Sequence, residues 1–555
     1  MGGSRNGIAR RGRTAKLQIV SDFDYVIVGA GSAGCVLADR LSADGGRRVL
    51  VLEAGGSDAK FWIKTPIGYG RTFADPAVNW RYQAEPSPGL NGRPMYWPRG
   101  RVVGGSSSIN ALVYCRGMPE DFDDWRRLGN VGWSWQDVLP YFERSERRVD
   151  PAGRATGAGA LDVKDVTPFL HPTRRTWLDA AAELGLPLSD DFNGPHPEGL
   201  GCYRVTIRRG KRWSAADAFL RPALRRRNVR LEIDAWASKI RFAGTRAVGV
   251  EYVQGGVSRF APANCEVILS AGSVNSPQLL QLSGVGPGEL LRGLGIPVIL
   301  DRPAVGGHLQ DHLGVTYSYK ATRPTLNDEL SSAFGKLRAG LAYVLARRGP
   351  LSLSVNQFGG FVRADPAAVR PNLQLYFNPV TYGAGDANRK NIDVDPFSGF
   401  ILCFQPARPT SLGRIDIASA DFRKPPKIAP NYLSTAKDAE DVIQGGALLQ
   451  AIARTRALRA LIQEPIAPDL AGMTAQQILA DFRARAATVY HPVGTCRMGP
   501  DAGDAVVNAR LRIHGLERIR VVDASVFPDI TSANTNAPTL MVAQKGADLI
   551  LAKGN

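Results

Sequence analysis

Apolar positions between Asp24 and Gly56 fall into three blocks with different periods, in the stretch "DYVIVGAGSAGCVLADRLSADGGRRVLVLEAGG". Tyr25 to Val28 is a short, β-branched apolar run, the pattern of a buried strand. Cys35 to Leu41 repeats with helical spacing, and "RRVLVLEAG" is a second buried strand. The order strand, glycine turn, helix, strand predicts one half of a doubly wound sheet. Farther along, the apolar run "CEVILSAG" predicts another strand. Asn275, Ser276 and Pro277 follow it and predict a helix start, because Ser and Asn are good caps and Pro is tolerated in a first turn. "PNLQLYF" and "GRIDIAS" read as strands, and about Ala436 to Arg454 as a helix. No uninterrupted apolar run reaches the ~18 residues of a membrane-crossing helix. Periodicity alone therefore predicts a mixed α/β chain, with neither an internal repeat nor a long low-complexity linker.

The turn between the first strand and helix is a GxGxxG. Gly29 permits the tight turn, Gly31 lets a pyrophosphate approach the backbone beside Ser32 and Ala33, and Gly34 allows close helix–strand packing. Glu53 ends the second strand 19 residues after Gly34 and can accept hydrogen bonds from a ribose diol. These features in order predict a dinucleotide site without separating NAD from FAD.

Composition narrows the picture. A chain of 555 residues allows roughly two to three domain equivalents. The net charge is +18, from 69 basic and 51 acidic residues. The charge is spread along the chain, and its densest cluster, "RPALRRRNVR" from Arg221 to Arg230, lacks interleaved aromatics. It reads as a solvated surface and not as a nucleic-acid site. Peripheral contact with an anionic membrane stays open. Residues 1–21 are basic without an apolar core and read as a disordered tail. Six widely spaced cysteines form no CxxC pair, which points to a reducing, cytoplasmic location. No metal is expected. "HLQDH" places His308 and His312 four apart, but Leu309 stands where a zinc-protease pattern needs Glu, so both read as structural.

"PRGRVVGGSSSINALVYCRG", from Pro98 to Gly117, packs bare backbone and small hydroxyls between apolar runs. Its core "GRVVGGSSSIN" resembles the first signature of the glucose-methanol-choline (GMC) flavoprotein oxidoreductases. "GSVNSPQLLQLSGVG" resembles the second. "YHPVGTCRMG" and "VVDASVFPDITSANTNAPTLM" are similar to that family's catalytic-histidine block and closing flavin-contact segment. With the nucleotide motif, these blocks stand in family order from about Asp22 to Leu551.

The resemblance implies an α/β, GMC-type two-domain fold. A Rossmann-like FAD-binding domain would comprise residues 22–165, 200–315 and 485–555. A substrate domain, a six-stranded antiparallel sheet backed by helices, would comprise 166–199 and 316–484. It implies FAD contacts at Glu53 and Ala54, along the loop at Val103, Gly105, Ser106, Asn110, Ala111, Leu112 and Val113, and at Ala237 beside the adenine. Asp523 and Ala524 would touch the phosphate region, and Asn536, Pro538 and Thr539 the flavin's pyrimidine edge. Covalently flavinylated members carry histidine where this chain has Ile109, so non-covalent FAD is implied.

Alcohol oxidation removes a hydroxyl proton and a carbinol hydride, which flavin N5 accepts. Histidine suits the proton, with an ordinary pKa of about 6.5. The resemblance assigns that role to His491, with Asn534 hydrogen-bonding the substrate oxygen. Tyr490 would line the substrate cavity. Choline enzymes of the family carry an acidic residue at the position aligned with Gln357, so the neutral amide favours a neutral primary alcohol, aliphatic or aromatic, oxidised to its aldehyde. Choline dehydrogenase or oxidase activity is the alternative, and a non-redox lyase such as a hydroxynitrile lyase the alternative of another class. The electron acceptor would be oxygen or a quinone.

Overall fold

The computed structural model describes residues 18–383 and 393–552. Phe23–Val28 is buried almost throughout. A strand apolar on both faces belongs between two parallel neighbours, and it pairs in parallel with Val49–Leu52 and with the end of Val257–Leu269. The sheet runs in the order Val229–Glu232, Val49–Leu52, Phe23–Val28, Val257–Leu269, Arg246–Gln254, Ala235–Ala243. The long strand Val257–Leu269 serves two ladders. Its end takes Phe23–Val28 and Ile519–Val521 in parallel, and its start pairs antiparallel with Arg246–Gln254.

The basic tail ends earlier than its composition implies. Gln18–Ile19 lies in parallel register on Arg259 and Phe260, and the Val20 N–H donates to the Phe260 carbonyl at 3.0 Å. Residues 1–17 of that expectation lie outside the described residues. The two ends of the described chain also meet. Arg40 on the helix Ser32–Leu41 donates to Gln544 and Asp548 on the helix Asn536–Leu551, both at 2.6 Å.

The second sheet holds six antiparallel strands in the order Ile462–Ile466, Leu313–Ala321, Gly399–Pro406, Leu373–Asn378, Phe358–Val362, Gly199–Cys202. Leu188–Ser189 adds a short parallel edge and Ala487–Thr488 pairs on Leu313–Gly314. The helix Ala436–Arg454 backs this sheet, with Val442, Leu449 and Ile452 fully buried. The domain limits expected at 200 and 315 fall inside strands of this sheet, Gly199–Cys202 and Leu313–Ala321. A separate large apolar core belongs to each sheet.

The helix expected to start at Asn275–Pro277 starts instead at Gly272 and runs to Leu282, with Pro277 inside it. The cap comes from far away in sequence. Asp523 accepts from the Gly272 N–H at 2.8 Å and from Ser276 Oγ at 2.5 Å. An internal proline leaves the carbonyl four residues earlier without its usual donor. Here that carbonyl is Ser273's, and Thr495 Oγ1 donates to it at 2.6 Å.

Candidate functional site

A cavity of about 550 Å³ runs between the two sheets, within the ~300–1,000 Å³ range of small-molecule and cofactor sites. At one end the helices Ser32–Leu41 and Asn536–Leu551 both begin at its wall, and neither has a side-chain cap. Uncapped first-turn N–H groups and the helix dipole favour an anion there. Ser32 Oγ donates to Asn536 Oδ1 at 2.7 Å and ties the two starts together.

The glycine turn is shaped by close approach. Gly34 lies so near the Gly29 carbonyl that a Cβ would sit 1.9 Å from that oxygen. Gly105 has φ +54°, and its Cβ would meet Gly31 Cα at 2.7 Å. A Cβ on Gly31 would meet nothing nearer than 3.9 Å, because it would point into the cavity. The bare backbone is thus a cradle that a side chain would fill, and it fits a dinucleotide's phosphates.

Glu53 lines the same end. Its carboxylate accepts from the Ala30 and Gly55 N–H groups at 2.9 and 2.8 Å, and burial lifts its pKa to about 7 against those bonds. Asp523 is committed to the protein. It accepts from Gly272, Ser276 and both the N–H and Oγ of Ser525. The loop of small residues is anchored by Arg212, which is 1 % exposed. Arg212 donates to Asn110 Oδ1 and to the Asn110 carbonyl, both at 2.7 Å, and to the Ser107 and Ile63 carbonyls. Burial pulls its pKa down to about 9.

At the other end His491 and Asn534 meet. Asn534 Nδ2 lies 3.1 Å from His491 Nε2. The amide's orientation follows from a chain of donors: Gln405 Nε2 donates to Gln374 Oε1, and Gln374 Nε2 to Asn534 Oδ1. Behind His491, its Nδ1 lies 3.0 Å from His312 Nδ1, and His312 Nε2 lies 2.9 Å from the Ala407 carbonyl. A carbonyl only accepts, so His312 Nε2 carries the proton. Burial pushes the His312 pKa down to about 4, so the ring is neutral and its Nδ1 is an acceptor. His491 Nδ1 must then be the donor, which leaves its Nε2 lone pair facing Asn534 and the cavity.

Burial foremost, with His312 and Arg99 nearby, holds the His491 pKa well below 6.5. Asp311 accepts from the His491 N–H at 2.8 Å and from Thr488 and Tyr432 hydroxyls at 2.5 Å. Burial raises its pKa to about 6. Tyr490, with φ +71°, occupies a backbone region uncommon for non-glycine residues. Arg99 Nη1 donates to its carbonyl at 2.9 Å, and its own N–H donates to Thr488 Oγ1 at 2.8 Å.

The cavity wall brings together most of the residues singled out from sequence, including Gly29, Gly31, Ser32, Ala33, Glu53, Ala54, Gly105, Ser106, Asn110 to Val113 and Ala237. Asp523, Ala524, Asn536, Thr539, Tyr490, His491 and Asn534 also line it. Four do not. Gly34 is a packing contact within the turn. Val103 is 6 % exposed in the first core, its N–H on the Gly56 carbonyl. Pro538 is buried in its helix between two residues that line the wall. Gln357 is turned away, its Oε1 accepting from the His171 N–H at 2.9 Å, and its neighbour Asn356 lines the cavity instead. Consecutive residues in extended backbone point to opposite faces, so a one-residue register difference exchanges them. Sequence reasoning missed Arg99, Arg212 and Asp311 and read His312 as structural. The spacing of "HLQDH" was the available signal, but a zinc pattern was the wrong template for it.

The family models for GMC oxidoreductases match this chain, the N-terminal model over residues 23–314 and the C-terminal model over 409–543. An alcohol dehydrogenase [acceptor] from Pseudomonas putida is 42% identical over 539 residues, 96% of each chain. The mitochondrial choline dehydrogenase of Homo sapiens is 42% identical over 541 residues, 95% of this chain and 90% of its own. Among solved structures, pyridoxine 4-oxidase from Mesorbium loti superposes with a TM-score of 0.84 at 30% identity, covering 95% of this chain and 98% of its own.

Proposed function

The chain belongs to the GMC oxidoreductase family, and on that premise we propose that it oxidises a neutral primary alcohol, aliphatic or aromatic, to the aldehyde, with His491 as the base. It is a flavin oxidoreductase acting on CH–OH donors. The observation that carries the proposal is the bare Nε2 of His491 beside the Asn534 amide. An alcohol oxygen between them receives an N–H from Asn534 while its own proton points at the imidazole lone pair. The substrate hydroxyl thus replaces the direct Asn534–His491 contact. His312 keeps the accepting nitrogen on the cavity side, and Asp311 fixes the backbone that carries the ring. The Gly29–Gly34 turn and the Gly105–Val113 loop would hold FAD, which would supply the two-electron acceptor for the carbinol carbon. Ile109 lines the cavity without a nucleophile, which supports non-covalent binding.

The wall near His491 supports the substrate class. Tyr69, Phe73, Tyr376, Tyr382 and Tyr490 make it aromatic, and Asn356 and Asn378 add neutral amides. The acidic side chains on the wall, among the described residues, are Glu53 and Asp523, which belong to the dinucleotide end. A quaternary ammonium uses aromatic faces and usually a carboxylate. The aromatic wall keeps choline as the second reading, and the missing carboxylate ranks it below a neutral alcohol. The test is a panel of primary alcohols and choline, assayed once with oxygen and once with a quinone-like dye. Higher kcat/KM for neutral alcohols supports the proposal. Turnover of choline above every neutral alcohol contradicts it.

A further inference from the structure

The helix Ala333–Ala346 buries only Gly335, Ala339 and Tyr343, one narrow stripe at every fourth position. The rest of its apolar side chains point to solvent. Phe334 is 76% exposed and Leu345 81%, with Leu337, Leu341 and Val344 each more than half exposed. A surface helix of a soluble domain turns its apolar face inward, so this one is inverted. The patch continues onto a neighbouring segment. Phe61 and Trp62, both exposed, pack edge-on, and Phe61 meets Tyr343 at 6.1 Å between ring centres. Contiguous exposed apolar surface of this kind marks an interaction site.

The charges around it choose the partner. Residues 333–348 contain Lys336, Arg338, Arg347 and Arg348 and no acidic residue. Lys336 and Arg348 make no ion pair among the described residues. Arg71 lies over the Trp62 ring at 5.5 Å, at the patch margin. An apolar face carrying Phe, Leu and Trp and edged with Lys and Arg is the makeup of a helix that lies in a lipid interface. A second copy of this chain would bring the same cations against these. No helix among the described residues is long and apolar enough to cross a membrane.

We propose that the outward face of Ala333–Ala346, with Phe61 and Trp62, docks the protein on the surface of an anionic lipid bilayer. The helix, about 21 Å long at ~1.5 Å per residue, lies flat, with its leucines among the acyl chains and its cations at the headgroups. This surface adjoins the cavity, because the segment after Phe61–Lys64 supplies the lining residues Tyr69, Gly70, Phe73 and Ala74. The inference does not depend on which alcohol is oxidised.

Flotation of the flavin-loaded enzyme with phosphatidylcholine vesicles, with and without phosphatidylglycerol, tests it. Binding is expected on the anionic vesicles, weakening as salt rises. The exposed-site double variant Leu337→Glu/Leu345→Glu is expected to lower the bound fraction roughly tenfold or more, with flavin content and turnover of a water-soluble alcohol unchanged. A protein that stays with the buffer in both vesicle types overturns the proposal. So does a double variant that floats as well as the wild type, since the contact would then lie elsewhere on the basic surface. Concentration-dependent dimers that the double variant abolishes, without vesicle binding, would assign the face to a second copy and overturn it too.

Discussion

The proposed role of His491 rests on two groups behind it, neither of which lines the cavity. The Ala407 carbonyl fixes the proton on His312, and His312 fixes the proton on His491. His312 is therefore a positioning residue. His312→Leu removes the acceptor for the His491 Nδ1–H and lets the imidazole take either tautomer. We expect kcat/KM to fall by roughly tenfold or more, short of the 10²–10⁴-fold expected for loss of the base itself. His312→Asn keeps an oxygen near the Nδ1 position and should recover most of the loss. Equal losses in the two variants would mean that His312 only fills space. The pH dependence has a definite sign. Burial disfavours imidazolium, so His491 gives up its proton below its ordinary 6.5, and the base form persists into mild acid. The acid limb of the wild-type kcat/KM profile should lie below pH 6.5. A limb centred above that value would contradict the buried, neutral imidazole.

The glycine turn shows what an element contributes beyond its residues. A Cβ at Gly31 meets no protein atom closer than 3.9 Å, so Gly31→Val should leave the fold intact while filling the phosphate cradle. Acid precipitation of the wild type should release about one FAD per chain into the supernatant, and the variant should release almost none. Full flavin in the variant would move the phosphates elsewhere, and flavin retained in the wild-type pellet would mean a covalent link. This turn was legible in the sequence because strand, helix and glycine spacing are all local. The helix from Gly272 was misread at its start because its cap, Asp523, lies 251 residues away. Gln357 was displaced by Asn356 because a one-residue register difference exchanges the faces of an extended segment. The domain limit expected at 200 cuts through the strand Gly199–Cys202 because the partner of that strand, Phe358–Val362, is remote in sequence. The centre formed by His491 and Asn534 was legible as a motif. The chain of amides and the second histidine behind it were not, since each link joins segments that only the tertiary fold brings together.

At the scale of the whole molecule, distant parts of the chain close one cavity. The N-terminal half supplies the glycine cradle with Tyr69 and Phe73, the second sheet adds Tyr376 and Asn378, and the last segment supplies Tyr490, His491 and Asn534. The high positive charge is partly absorbed in structure, as Arg221 pairs with Asp58, Arg226 with Asp39 and Arg230 with Glu232. Three arginines of the densest basic run are thus held in ion pairs within the chain. In the proposed reaction His491 removes the alcohol proton in a cavity whose dinucleotide end is built independently. The most direct test is anaerobic stopped-flow mixing of flavin-loaded wild type and His491→Ala with a saturating primary alcohol, following loss of oxidised-flavin absorbance. His491→Ala should carry wild-type FAD content and lose absorbance roughly 10²–10⁴-fold more slowly, with Asn534→Ala losing less because it removes a hydrogen bond and not the proton acceptor. Wild-type rates in His491→Ala at full FAD content would contradict the assignment of the base.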